Sequence, residues 1–133
     1  MYQAARVVGT ALRDIRSVDG EALTAANGDF SATLLLGGQI GKERPRLFLI
    51  YAAGNFIEAT PQTNYFQIGE TKYGKPIIDR VVKFNTPMKD VAKAFLVSFD
   101  STMRSNLTVG LPIDLLLYNR DSCRITQKRR FQH

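Results

Sequence analysis

The first sixteen residues have the apolar spacing of an amphipathic helix. Their apolar side chains recur at steps of three and four: Ala4, Val7, Val8, Ala11, Leu12 and Ile15. This spacing predicts a helix over residues 2–16. The stretch 17–29 is polar and holds the turn signals Asp19-Gly20 and Asn27-Gly28, so we expect a loop there with a short helical turn at 21–26.

Short apolar runs between turn residues fill the middle of the chain and predict strands. The predicted strands are 30–36, 46–51, 56–59 and 65–68. Residues 41–45 lie between the first two and combine Gly and Pro with charged residues, which is typical of a hairpin loop. We therefore expect residues 30–59 to form an antiparallel meander.

Two helices are predicted after the strands. Pro76 suits the first turn of a helix that runs to about Phe84. Thr86-Pro87 combines a hydroxyl N-cap with Pro at the first helical position. The apolar face that follows predicts a second helix of about four turns, which we expect to end at Asn106.

A final strand is predicted at 113–118, where Asp114 is the one polar residue. We expect residues 124–126 to extend the sheet before the basic tail 124–133 frays. Strands and helices are grouped rather than alternating along the chain, which favours an α+β fold with a mostly antiparallel sheet and two adjacent helices. A length of 133 residues fits a single domain, 1–133.

The strands between residues 30 and 51 are apolar on both sides, so the sheet needs a second covering layer. The chain offers one further helix, 2–16, for that layer. This mismatch predicts a piece of a larger fold or an obligate oligomer. Several leucines are candidates for an uncovered face: Leu34, Leu36, Leu47, Leu49, Leu115 and Leu117.

The net charge of +6 is concentrated at the end of the chain. Residues 120–133 hold five basic residues and one acidic residue, so the rest of the chain is close to neutral. One short basic cluster is weak evidence for nucleic-acid binding, and we interpret it as a solvated terminus. No apolar run approaches the roughly 18 residues of a membrane span and no secretory signal is seen, so we expect a cytoplasmic protein.

The scarcity of cysteine and histidine excludes several chemistries. Cys123 is the one cysteine and His133 the one histidine. An internal disulfide, a His/Cys metal cluster and a Ser-His-Asp or Cys-His arrangement are therefore excluded, and we expect no cofactor. We interpret Glu58 and Asp79 as surface charge rather than as a catalytic carboxylate pair.

Long contiguous runs carry a family resemblance. The run LFLIYAAGNFIEATPQTNYFQIGETKYGKPIIDRVV at 47–82 resembles the bacterial proteasome-type peptidases, and within these the ancestral beta subunit family, Anbu. LVSFDSTMRSNLTVGLPIDLLLY at 96–118 resembles the same family, as do DFSATLLLGGQI at 29–40 and DGEAL at 19–23. The resemblance extends over nearly all of 2–123.

The resemblance implies an N-terminal-nucleophile hydrolase, a four-layer αββα sandwich that assembles into ring-like or helical homo-oligomers and acts on peptide or protein substrates. In that family a Thr, Ser or Cys at the mature first position is the nucleophile and its own amino group is the base. Those groups, with the Lys and Asp that tune them, belong to the first part of the family's chain. This sequence resembles the C-terminal half to two thirds, so we expect an incomplete sandwich without catalytic residues that is inactive alone.

Proteasome beta subunits also support the nucleophile from their second half. Where the family has Ser in an Ile-Gly-Ser-Gly stretch, this sequence has Glu70. Where the family has Arg-Asp-x-x-Ser-Gly, Ser105 replaces the Asp and Thr108 replaces the Ser. The resemblance thus makes Glu70, Ser105 and Thr108 candidate supporting residues, and the alternative is ordinary helix-end and turn chemistry.

Two functions from different classes follow. The first is a proteasome-type peptidase subunit, with threonine- or serine-type amide-bond hydrolysis in an oligomeric assembly, represented here without its nucleophile-bearing part. The alternative is a non-catalytic structural or assembly subunit, or a remnant half-domain. Nucleic-acid binding by the tail is a third, unlikely function, and steep salt dependence would be its mark.

Overall fold

Three helices and five strands make up the described part of the chain. The computed structural model describes residues 1–26, 28 and 31–132. The elements are α1 (Tyr2–Ala25), β1 (Leu34–Gly38), β2 (Arg46–Ile50), β3 (Phe56–Glu58), α2 (Lys75–Val81), α3 (Met88–Ser105), β4 (Ile113–Tyr118) and β5 (Ile125–Phe131). They fall into two compact units, Met1–Ala59 and Thr60–His133. The predicted α+β class with antiparallel sheets is confirmed.

In the first unit, α1 packs on a three-stranded antiparallel sheet in the order β1-β2-β3. Its core joins Ala5 and Leu12 of the helix to Phe48 and Ile50 of the central strand. Phe48 and Ile50 are fully buried, and burying a side chain of this size contributes about 1.5–3 kcal/mol. The predicted meander is therefore correct, although its first strand begins later than expected; Asn27, Asp29 and Phe30 lie outside the described residues.

The opposite face of this sheet is apolar and open within the unit. Leu35, Leu49 and Ile57 lie side by side across the three strands, and Leu35 and Ile57 are 42% and 44% exposed. Leu47 lies on the same face, because side chains alternate along a strand. The predicted uncovered face is therefore present. Leu36 was wrongly assigned to it, because this side chain packs against the α1 core on the other face.

Helix α1 is longer than the spacing predicts, because it continues to Ala25 through the expected loop. The Ser17 hydroxyl donates to the Asp14 carbonyl at 2.8 Å, and the Thr24 hydroxyl donates to the Gly20 carbonyl at 2.8 Å. Polar side chains that bond the helix's own backbone are tolerated within it. The turn interpretation of Asp19-Gly20 was therefore wrong.

In the second unit, α2 and α3 pack through Ile78, Val82 and Ala94. Both predicted helices are present, but the predicted N-cap is wrong: no side-chain hydrogen bond caps α3. The Thr86 hydroxyl instead accepts from the Lys83 backbone N–H at 2.8 Å. Thr86 thus closes the turn after α2 rather than opening α3.

Two strand predictions in this unit also need correction. Residues 65–68 form no strand in the described structure, and Tyr65 packs against Phe95 with ring centroids 6.4 Å apart. The tail expected to fray forms β5, which pairs antiparallel with β4. Cross-strand contacts hold it, including an Arg130–Asp114 ion pair at 3.3 Å. Strand β4 has the bounds that the sequence predicted.

Candidate functional site

Two of the three candidate supporting residues meet through Asn106. The Glu70 Oε2 atom accepts a hydrogen bond from Asn106 Nδ2 at 2.9 Å. The Asn106 Oδ1 atom accepts from the Thr108 backbone N–H at 2.9 Å and from the Thr108 hydroxyl at 2.7 Å. The structure therefore brings Glu70 and Thr108 into one hydrogen-bonded cluster, although they are far apart in sequence.

Local backbone geometry explains how each member reaches this cluster. Gly69 has a φ of +79°, a left-handed conformation that favours glycine, and it turns the chain so that Glu70 follows directly. Glu70 Oε1 then accepts from the Lys72 backbone N–H at 2.7 Å. Asn106 is the residue after the last turn of α3, and its backbone N–H donates to the Thr102 carbonyl at 2.8 Å.

These bonds keep the Glu70 carboxylate ionised. The Lys72 backbone N–H contributes most, and the Asn106 amide next, to lowering the pKa of Glu70 below its ordinary value. An ionised carboxylate only accepts hydrogen bonds, so Glu70 anchors the loop that precedes α2 and is unsuited to act as a general acid. The Thr108 hydroxyl gives its proton to Asn106, which leaves its oxygen as an acceptor for another group.

Ser105 does not join the cluster. It is the last residue of α3 and is exposed, and no side-chain hydrogen bond is found for it in the described part of the chain. Sequence reasoning gave Asn106 only the role of ending the helix and missed it as the bridge. An Asn side chain often accepts a hydrogen bond from the backbone N–H two residues further on, and this tendency was the available signal for the bond between Asn106 and Thr108.

A second polar cluster joins α2 to the segment before it. Lys75 Nζ donates to Asp79 at 3.0 Å and to the Tyr65 hydroxyl at 3.0 Å, while the Tyr65 hydroxyl donates to Asp79. Tyr65 first and Lys75 second lower the pKa of Asp79. About half of each charged side chain is exposed, so this cluster fixes Tyr65 rather than forming a reactive site, and Asp79 remains the surface charge that we predicted.

Glu58 differs from its predicted role as surface charge. Arg46 donates to its two carboxylate oxygens at 2.7 and 2.6 Å, and the side chains of Arg46 and Glu58 are 22% and 26% exposed. The Arg46 hydrogen bonds lower the pKa of Glu58 below its ordinary value. The pair ties β2 to β3 in register, because the two strands are neighbours in the sheet.

Two other properties bear on function. None of the helices in the described ranges has the length and apolar character needed to cross a membrane. Within the same ranges, no three His, Cys, Asp or Glu side chains are grouped so that they could hold a metal ion.

Comparison with solved structures identifies the relatives of the chain, although no protein-family model and no curated protein matches it. Anbu from Hyphomicrobium sp. strain MC1 is 55% identical with a TM-score of 0.87 and is matched over 98% of this chain and 52% of its own. Anbu (ancestral beta-subunit) from Yersinia bercovieri is 52% identical, with a TM-score of 0.90 over 98% of this chain and 53% of its own. A helical assembly of the Anbu complex from Pseudomonas aeruginosa gives 48% identity and a TM-score of 0.91, over 98% and 54%.

These matches extend over nearly the whole of the present chain, at identities far above the level at which only a fold is shared. The chain spans about half the length of the solved relatives. Its incomplete α+β architecture agrees with the fold of those relatives. The chain therefore belongs to the Anbu family of proteasome-like ancestral beta subunits.

Proposed function

We propose that this chain contributes the second half of a proteasome-type peptidase subunit, which hydrolyses peptide or protein amide bonds in an oligomeric assembly in the cytoplasm. The observation that supports this most is the 55% identity to an Anbu protein over 98% of this chain and 52% of that protein. The proposed nucleophile, a threonine, serine or cysteine with its Lys and Asp partners, belongs to the part of the relatives without a counterpart here. The chemistry needs no cofactor, because the amino group of the nucleophile is the base.

In this proposal the residues of the chain support the reaction without taking part in bond breaking. Glu70 and Asn106 hold Thr108 by hydrogen bonds of 2.7–2.9 Å. The Thr108 oxygen keeps acceptor capacity, so it suits a donor on the nucleophile-bearing part. Ser105 directly precedes Asn106 in the sequence and is exposed. In this proposal it approaches the reacting groups only in the complete subunit.

The open face of the first unit's sheet is the proposed contact with the missing layer. Leu35, Leu49 and Ile57 form an apolar row across β1, β2 and β3. Contiguous exposed apolar surface marks a place where another polypeptide packs. A second sheet on this row would complete the αββα order that the family resemblance implies.

The proposed assembly follows from a relative rather than from this chain. The Pseudomonas aeruginosa protein is described as a helical assembly of the Anbu complex. We propose a homo-oligomer of the same general kind for the complete subunit. Nucleic acid is not part of the proposal, because one short basic cluster is weak evidence for such binding.

Complementation tests the proposal. The chain is co-expressed with the part of the Hyphomicrobium protein that has no counterpart here, and the product is assayed for association, for mass by light scattering and for hydrolysis of fluorogenic peptides. Hydrolysis by an oligomeric complex, with none by either part alone, supports a peptidase subunit. Association and assembly without hydrolysis would favour the non-catalytic structural subunit, and failure to associate would contradict both.

A further inference from the structure

A groove runs along one side of the first unit, between α1 and β3. It has a volume of about 390 Å³. Tyr2, Arg6 and Arg13 line it from the helix, and Asn55, Phe56 and Glu58 line it from the strand and the turn before it. All of these residues lie within one compact unit.

The charge of the groove comes from two arginines. Arg6 and Arg13 are seven residues apart on α1, which places them about 10.5 Å apart along the helix axis. Neither forms an ion pair in the described part of the chain, and Arg13 is oriented by a 3.2 Å hydrogen bond from its Nη2 atom to the Thr10 hydroxyl. The Glu58 carboxylate is already bonded at both oxygens by Arg46, so the open charge is positive.

The floor of the groove ends at a strand edge that pairs with no other strand in the described part of the chain. Strand β3 is the outer strand of the β1-β2-β3 sheet. The Tyr51 N–H donates to the Asn55 carbonyl and the Ala59 N–H donates to the Leu47 carbonyl. Because the direction of backbone bonds alternates along an antiparallel strand, the backbone groups of Phe56 and Glu58 point to the free edge.

We propose that this groove binds an extended acidic segment of a partner protein, which adds to the edge of β3 and sets two carboxylates against Arg6 and Arg13. Carboxylates two residues apart on a strand are separated by about 6.8 Å, and the flexible arginine side chains close the difference. The rings of Tyr2 and Phe56, 5.2 Å apart, form an apolar wall of the groove against which the methylene groups of the acidic side chains can pack.

Peptide binding to the full chain tests this site. The probe is Val-Glu-Val-Glu-Val-amide with fluorescein attached to its N-terminal amine, followed by fluorescence anisotropy, and its matched control replaces both Glu by Gln. We expect the acidic peptide to bind and the control to bind about tenfold more weakly, since exposed charge pairs contribute about threefold each. N-methylation of the backbone amides that face β3 should abolish binding, because strand addition needs those donors.

Variants locate the site on the protein. Arg6→Gln with Arg13→Gln should weaken binding of the acidic peptide about tenfold. Arg16→Gln removes the same charge from α1 outside the groove and should leave affinity unchanged. Lack of binding to the unaltered chain, equal binding of the Gln peptide or of the N-methylated peptide, or an equal loss in Arg16→Gln would overturn the proposal. The two peptide controls use the unaltered chain, so they decide even if the double variant does not fold.

Discussion

Replacing Gly9 by alanine tests how closely α1 lies against the sheet. Gly9 is buried in the middle of the helix. A Cβ atom at this position would lie 2.2 Å from the Gly54 carbonyl oxygen and 3.1 Å from its carbonyl carbon. Gly54 cannot easily move away, because its N–H donates to the Tyr51 carbonyl at 2.8 Å and its φ is +79°.

The expected magnitude is a balance of two effects. Alanine is about 1 kcal/mol better than glycine inside a helix, which would stabilise the protein. Against this, the two backbones must separate by about 0.8 Å to reach 3.0 Å, the shortest contact that real Cβ atoms make. A gap of that size loses a quarter to a half of the dispersion energy of the atoms it parts, and overpacking costs up to about 3 kcal/mol. We expect Gly9→Ala to destabilise the chain by about 2 kcal/mol.

Urea unfolding followed by circular dichroism at 222 nm measures this change, and the midpoint should fall by about 1 M. Gly20→Ala is the matched control, because it makes the same substitution in the same helix. A Cβ atom at Gly20 would meet only the Arg16 Cγ atom at 3.6 Å, an ordinary contact. The control should therefore stabilise the chain by up to about 1 kcal/mol. If Gly9→Ala also raised the midpoint, helix propensity alone would decide and the close helix–sheet contact would be refuted.

Three further predictions test the polar and close contacts. Glu58→Gln should lower stability at pH values above the unfolded pKa of about 4.3, because the Arg46 hydrogen bonds lower the pKa of Glu58 in the folded chain. The loss should shrink as the pH falls through the lowered folded pKa. Urea midpoints measured from neutral to acidic pH test this, and a difference that does not change with pH would be the contrary result. Asn106→Ala should raise the pKa of Glu70 towards its ordinary value, as followed by carbon NMR shifts, and an unchanged pKa would mean that the bond is not formed in solution. Gly74→Ala should lower the free energy of unfolding by about 1–3 kcal/mol, because its Cβ atom would lie 2.2 Å from Ser98 Oγ. Adding Ser98→Ala should restore part of that loss, as measured by urea unfolding. If the effects of the two substitutions were strictly additive, the contact would be contradicted.

The elements that the sequence predicts well are those whose own residues carry a strong apolar or turn pattern. Residues 113–118 have the predicted bounds, and the hairpin of β1 and β2 forms around the predicted loop. The end of α1 was not predictable from turn signals, because Ser17 and Thr24 bond the helix backbone only once that helix exists. The tail was misjudged for a similar reason, since its strand depends on cross-strand contacts with β4.

The sequence likewise predicted only part of the candidate cluster. Glu70 and Thr108 were identified because each stands where the family pattern has a serine. In the structure both form hydrogen bonds to Asn106. No local pattern links Glu70 to Asn106, because the contact depends on the packing that brings the end of α3 beside the loop before α2. Sequence resemblance can therefore nominate positions, while the bridging residue appears only when the helices are placed.

The apolar character of both faces of β1 and β2 connects the physical and the comparative arguments. A sheet with one solvated face normally alternates apolar and polar residues, and strands that are apolar throughout need cover on both sides. In this unit α1 covers the face of Phe48 and Ile50, while Leu35, Leu49 and Ile57 stay open. The solved relatives are about twice as long as this chain, and this observation is independent of the hydrophobic pattern. Both observations support the proposed second segment on the open row, and on that proposal complementation should both bury these residues and raise the solubility of the chain.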